Sequence, residues 1–329
     1  MTFLASHQPQ SSGSSLKNRM NKLFLFILLV ASFLYGFYSA YYKSPPYNLI
    51  KDFRDSTFPP YKLSQYFDDL INFQTDPFDA QLSMFSQCYL PKLSEVTKGS
   101  HVFIGHAYGA LGADDEGFLH HSVHKFLDEN SSKLNTLTFT GDVFYIPSIE
   151  KWKRLRDVVG DQVKVYIAPG NHDTARQDSQ DVFRLSEFGR NSFPILNYLD
   201  DTPFIVDDSV NSKWKVAPST IELANSIQSD TIIIARHNMP TKELLLLANS
   251  LHHKTKTLES VQSLSQKFNK NTAYFWIIGD SGAFNYLPRV KCLKYENHTF
   301  IVNGLGGFKD DAVIIYNYPL FLSYNLESD

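Results

Sequence analysis

The chain reads as an α/β layered domain preceded by a membrane-spanning helix. Three observations predict this: twenty uncharged residues near the start, short Val/Ile/Phe runs alternating with amphipathic stretches from about residue 98, and polar residues just after five of those runs. Strands alternating with helices argue a layered α/β architecture. With 329 residues, 43% of them hydrophobic and 14% aromatic, the chain can bury a sizeable core. A net charge of -3 gives no support for a nucleic-acid surface, and no nucleic-acid partner is expected.

Residues 1–22, MTFLASHQPQSSGSSLKNRMNK, are Ser/Gln-rich and carry Lys17, Arg19 and Lys22 but no acid. They read as a tail ahead of LFLFILLVASFLYGFYSAYY, residues 23–42. At about 1.5 Å per residue this makes a helix of roughly 30 Å, the thickness of a bilayer's hydrocarbon core. Tyr38, Tyr41 and Tyr42 at its far end resemble an interfacial aromatic belt. A cleaved signal peptide needs small residues at the −3 and −1 positions, but cleavage after Ala40 puts Tyr38 at −3, so the segment reads as a retained anchor. The basic cluster closest to the span lies on its amino side, which places the amino terminus in the cytoplasm. The main domain is then periplasmic or otherwise extracytoplasmic, an arrangement that suits a single-pass protein of a bacterial inner membrane. The oligomeric state is left open.

Residues 43–95, with SPPY, FPPY and TDPF, read as a Pro-rich stalk and lead-in, helical around 63–73 and 78–88. Cys88 and Cys292 lie far apart without a metal-type spacing. They are one disulfide or two unrelated buried thiols, and the reading leans to the latter. The domain proper is expected over 96–320, with 321–329 as a C-terminal tail. Its strands are expected in HVFIG, TLTFTG, VKVYIAPG, PFIV, TIIIAR, YFWIIG, HTFIVNG and AVIIYNY. Helical patterns fall between them, such as EGFLHHSVHKFLDEN, SIEKWKRLRDVV, STIELANSIQ and KELLLLANSLHH. NSS at 130 and NHT at 297 fit the N-glycosylation pattern at a frequency near chance.

The polar residues after the strands carry the chemistry. HVFIG leads to His106, TLTFTG to Asp142, VKVYIAPG to Asn171-His172-Asp173, TIIIAR to His237, and YFWIIG to Asp280. In open α/β sheets, sites form beyond strand carboxyl ends. Four of these polar groups follow a glycine, which lets the backbone turn sharply. Asp142 can anchor hard cations through oxygen, Asn171 offers a neutral carbonyl oxygen and His237 an imidazole nitrogen. This mixed set suits one or two ions of Mn²⁺, Fe or Zn²⁺ better than Ca²⁺. His172 is placed to protonate a leaving oxygen, and Asp173 to orient that imidazole.

Gly141-Asp142, then Gly170 to Asp173 as GNHD, then an apolar strand ending in His237, resembles the calcineurin-like metallophosphoesterases over roughly residues 98–318. The resemblance implies a β-sandwich flanked by helices (four-layer αββα) and a phosphate-ester substrate, phosphomonoester or phosphodiester. Its first motif, normally Asp-x-His, reads GHAYG here, putting His106 and Tyr108 in those places. Its last, Gly-His-x-His, reads GDSG, putting Asp280 and Gly282 there. Carried over, one metal position is complete as Asp142, Asn171, His237 and Asp280. The other would rest on His106, Tyr108, Asp142 and Gly282, which has no side chain to offer. His106 is then a ligand at the altered position or a direct phosphate contact.

Tyr145, three residues after Asp142, resembles the tyrosine ligand of the purple acid phosphatases, with core packing as the alternative. Arg236 is a candidate phosphate contact unless strand alternation turns it away. His120, His121 and His124 read as an ordinary helix face. The variant motifs also resemble a bacterial branch associated with surface polysaccharide gene clusters, which implies a glycan- or lipid-linked phosphate. A catalytically inactive scaffold tethered to the membrane is the competing reading.

Overall fold

The apolar runs become strands of two sheets because each is buried on both faces. The computed structural model describes residues 83–109, 117–190, 192–248, 257–280, 291–305 and 311–326, with Leu28, Val30, Ala31, Ser32 and Tyr35. The chain divides into two units, Met1–Pro60 and Tyr61–Asp329. In the first, the five described residues are helical. The expected span 23–42 otherwise lies outside the described residues, as do the tail, the helix at 63–73 and most of the stalk. Among the described residues no helix is long and apolar enough to cross a membrane.

In the second unit the strands are β1 (Ser86–Gln87), β2 (Ser100–Ile104), β3 (Leu134–Phe139), β4 (Lys164–Ile167), β5 (Ile195–Leu199) and β6 (Thr202–Val206). They continue as β7 (Thr231–Arg236), β8 (Ala273–Ile278), β9 (Lys291–Tyr295), β10 (His298–Val302), β11 (Ala312–Asn317) and β12 (Leu320–Asn325). One sheet runs β1-β9-β10-β8-β7-β6-β5 and the other β12-β11-β2-β3-β4. The centres are parallel: β6, β7, β8 and β10 in the first, β2, β3 and β4 in the second. Parallel strands buried on both faces read as continuous Val/Ile/Leu runs, and TIIIAR is such a run.

Alternation along each strand sorts the core into three apolar layers. Val102 and Ile104 of β2 pack with Val123, Phe126, Trp152 and Leu155 from the helices His121–Asn130 and Ile149–Val159. Phe103 points the other way, to Phe204, Ile233, Ile277 and Ile314 between the sheets. Beyond the larger sheet, Ile232, Ile234 and Trp276 meet Ala224, Leu244 and Leu264 from Pro218–Ser226, Lys242–Ala248 and Val261–Ser265. The result is helix, sheet, sheet, helix. Local signals agree with it: Ser148 caps Ile149–Val159 by accepting from Lys151 N, and Gly160 closes that helix at φ 82.

Several expectations are corrected. Cys88 and Cys292 form a disulfide, with 204 residues of separation, that ties β1 to β9; spacing alone gave no hint of the pairing. The described part of the expected 78–88 helix is a turn followed by β1. The expected tail from 321 is the body of β12, which pairs with β11 over its full length. The folded unit therefore extends beyond 96–320 at both ends. β1, β5, β9 and β12 lack the long apolar runs of central strands because they lie at or near sheet edges. The two N-glycosylation patterns are structurally committed: Asn130 Nδ2 donates to Phe126 O, and Asn297 Nδ2 donates to the Asn269 and Thr272 carbonyls.

Candidate active site

The strand ends converge because glycines let the two sheets touch. A Cβ on Gly105, after β2, would lie 2.5 Å from Gly279 Cα, after β8. A Cβ on Gly279 would run into the Thr140 carbonyl oxygen. Backbone bonds then continue past the strands: His106 N donates to Gly141 O at 3.0 Å and Asp280 N to His237 O at 3.0 Å. His106 and Asp142 both sit in the left-handed region, at φ 56 and 54. That conformation costs about 1–3 kcal/mol in a non-glycine residue and must be held by its surroundings.

Asp173 holds Asp142 there. Its carboxylate accepts N–H bonds from Asp142 (2.8 Å), Val143 (3.2 Å) and Gly170 (2.9 Å), joining the ends of β3 and β4. The expected partnership with the His172 imidazole is corrected accordingly. Instead, His172 Nδ1 lies 2.8 Å from Tyr145 O, and its backbone N–H donates to Asp142 Oδ1 at 2.9 Å.

Asp142 is the hub. Its Oδ2 lies 3.4 Å from His106 Nε2, 3.4 Å from His237 Nε2 and 4.0 Å from His172 Nε2. His237 Nδ1 is spent on Thr140 O at 3.0 Å. Its Nε2 therefore faces Asp142 Oδ2, Asn171 Oδ1 at 3.2 Å and Asp280 Oδ1 at 4.0 Å, a ring of acceptors. A neutral nitrogen lone pair among carboxylate and amide oxygens is repulsive, so this position calls for a proton or a cation. His106 is tied through Nδ1 to Gly109 O at 2.7 Å, and Tyr108 donates its hydroxyl to His106 Nε2 at 3.2 Å. That hydroxyl also lies 3.5 Å from His172 Nε2.

The electrostatics follow from burial and mutual charge. Burial opposes ionisation of Asp142, but the His237, His106 and His172 imidazoles outweigh it and hold the carboxyl well below its ordinary range. Burial likewise opposes a charged His237, yet Asp142 and Asp280 raise it to about 10. Burial, aided by the His237 charge, keeps His106 below its ordinary value. Asp173 is pushed up to about 7 by burial and by Asp142, against its N–H donors. Burial also drives Tyr108 well above its ordinary value.

Asp142, Asn171, His237 and Asp280 are thus brought together, with His106, Tyr108 and His172 beside them. Tyr145 is 36% exposed; its ring packs against Tyr108 and His172 at 5.6 and 5.0 Å, and its carbonyl carries its contact with His172. Arg236 is turned away. Fully buried, it pairs with Asp207 at 3.1 Å and donates to the Asn238 and Trp214 carbonyls. Strand alternation puts it on the face opposite His237. Gly282 lies outside the described residues. His120 bonds Ser122 through its ring and Ala107 O through its backbone N–H, and His124 pairs with Asp128.

Two residues were missed. Asn238 donates to Asp280 Oδ2 at 2.9 Å and is itself held by Ser209. Asn303, just past β10, is fully buried, and neither atom of its amide finds a hydrogen-bond partner among the described residues. Adjacency to His237 could have flagged the first and the NGLGG turn the second.

Among the described residues no group of three or more His, Cys, Asp or Glu side chains forms a ready-made metal cage. The donor set still fits a cation. Donors bound at about 2.1 Å to one ion stand roughly 3.0–3.5 Å apart, and the 3.2 and 3.4 Å separations around His237 Nε2 fall in that range. Asp280, at 4.0 Å, would close inward.

No family model matches the sequence, and no curated protein matches it. Among solved structures the chain is similar to a conserved uncharacterized protein, a predicted phosphoesterase, from Streptococcus pneumoniae TIGR4. The two are 10% identical with a TM-score of 0.27, over 69% of this chain and 97% of that one. A likeness at this level carries no functional argument, which rests on the site's own geometry.

Proposed function

We propose that the chain is a metal-dependent phosphoric ester hydrolase, anchored in a membrane by residues 23–42 with its main domain outside the cytoplasm. One observation carries the reading: His237 Nε2 is ringed by the oxygens of Asp142, Asn171 and Asp280 at the meeting point of four strand ends. Those four residues would hold a divalent ion of the Mn, Fe or Zn type, which supplies Lewis acidity to a phosphoryl group. His172 is the proton carrier. Its Nδ1 keeps a hydrogen against the Tyr145 carbonyl, so Nε2 of this partly exposed side chain gives or takes the second proton. His106, with Nδ1 fixed on Gly109, offers the Nε2 lone pair to a second ion or, when protonated there, an N–H to a phosphoryl oxygen. The Cys88–Cys292 disulfide supports a domain on the oxidising side of a membrane.

A second reading, an inactive tethered scaffold, is favoured by Tyr108, whose hydroxyl fills the space beside His106 Nε2 where the related motif has an imidazole. Elemental analysis of the purified chain after incubation with Mn²⁺, Fe²⁺ and Zn²⁺, beside Asp142→Asn, separates the two. One or two ions per chain, lost in the variant, supports the hydrolase. No bound metal in the wild type leaves the scaffold.

A further inference from the structure

Between the ends of β4 and β6, next to the candidate site, lies a cavity of about 370 Å³. Pro169 and Thr174, which bracket the Gly170–Asp173 turn, form part of its wall, so the cavity and the catalytic groups share one short segment. Its size is that of a small-ligand pocket.

The charges that line it are unequally satisfied. Asp207 pairs with Arg236 at 3.1 Å and accepts from Thr220 at 2.7 Å. Asp208 accepts the backbone N–H groups of Val210 and Asn211, both at 3.0 Å, and the Asn211 amide. Buried Arg236 is the counter-charge to both carboxylates. The lining guanidinium groups have no carboxylate partner among the described residues. Arg190 gives Nη1 to the carbonyls of Glu187 and Gly189, which neutralises no charge. Arg184 makes no hydrogen bond or ion pair among the described residues. Two exposed arginines and two aspartates line the cavity, and with Arg236 behind the aspartates three guanidinium groups stand against two carboxylates, leaving Arg184 and Arg190 with unfilled N–H donors. Guanidinium forks match phosphate and carboxylate oxygens bidentately.

We propose that this cavity is an anion subsite of the same active centre, receiving a second phosphate or carboxylate group on the substrate. Its assignment to a substrate rests on the phosphoesterase reading; its preference for anions does not. The substrate class is then a phosphate ester that carries a further acidic group.

The test is calorimetric titration of the metal-free full chain with inorganic pyrophosphate and, in parallel, citrate. Three proteins are compared: wild type, Asp142→Asn, and the double variant Arg184→Gln/Arg190→Gln. Wild type and Asp142→Asn should bind alike, and the double variant at least about 10-fold more weakly, at an unchanged thermal midpoint. A preference for pyrophosphate or citrate identifies the group as phosphate or carboxylate. Binding by the double variant within about twofold of wild type, or no binding by wild type, overturns the inference. Release of p-nitrophenol from p-nitrophenyl phosphate by the metal-loaded wild type is scored separately. Arginine-dependent binding without hydrolysis upholds the anion site and sinks the phosphoesterase reading; hydrolysis without arginine dependence does the reverse.

Discussion

Asp142 and His298 are both buried, yet burial acts on them in opposite ways. Asp142 keeps its charge because three imidazoles surround it. His298 has no acid beside it among the described residues. Trp276 Nε1 donates to its Nδ1 at 3.0 Å, its ring stacks on Tyr274 at 5.1 Å, and Nε2 finds no partner among the described residues. Burial lowers it from 6.5 to about 4, so it is neutral in the folded chain. The sign follows: below pH 6.5 the unfolded chain takes up a proton that the folded chain refuses, and stability falls until about pH 4. The full effect is ~3 kcal/mol. Urea unfolding midpoints between pH 6.5 and 4 should fall steeply in the wild type and less steeply in His298→Phe; parallel slopes would contradict this assignment.

At the scale of elements, the site exists because strand ends from two sheets approach within bonding distance. Gly279 sits where no side chain can, against the Thr140 backbone, and Gly105 packs on Gly279. Three of the four glycines after the strands, legible in the sequence as turn-formers, prove to be contact points between sheets, and Gly170 packs on Asp142 within one sheet. Gly141 alone of the four combines both demands: its φ is 88, and a Cβ would stand 2.5 Å from the His237 ring. Gly279→Ala should cost ~1–3 kcal/mol by forcing the sheets apart. It should also weaken metal binding more than its stability loss explains, because the Asp142–His237 distance depends on that approach. Equal metal affinity, measured by calorimetry on folded variant, would show that the spacing is set elsewhere.

For the whole molecule, the disulfide closes a chain segment of 204 residues and fastens the lead-in to the far edge of the larger sheet. Removing such a cross-link typically costs 2–5 kcal/mol. Cys88→Ser and Cys292→Ser should lower the urea midpoint by equal amounts, and reductant should bring the wild type to the same value. Unequal losses would mean that one sulfur contributes mainly by packing. The layered architecture and most central strands were legible because parallel strands buried on both faces leave unbroken apolar runs. Edge strands, the disulfide and Asp173's clamp were not, since their partners lie far off in sequence.

The sequence by itself determined which residues end each central strand, and so which side chains are candidates: Asp142, Asn171, His172, His237 and Asp280 all lie at the strand-end meeting point. Periodicity and glycine placement are local properties, and local properties are written along the chain. Only the tertiary structure decided which way each side chain turns. Arg236, adjacent to His237, belongs to a buried ion pair behind the sheet. Asp173, adjacent to His172, holds the backbone of another strand's loop. Asn238 stands at the site through Asp280, and the backbone of Asn303 bonds the end of β8. The physical reason is that orientation depends on which sheet lies opposite, a contact made between residues a hundred positions apart.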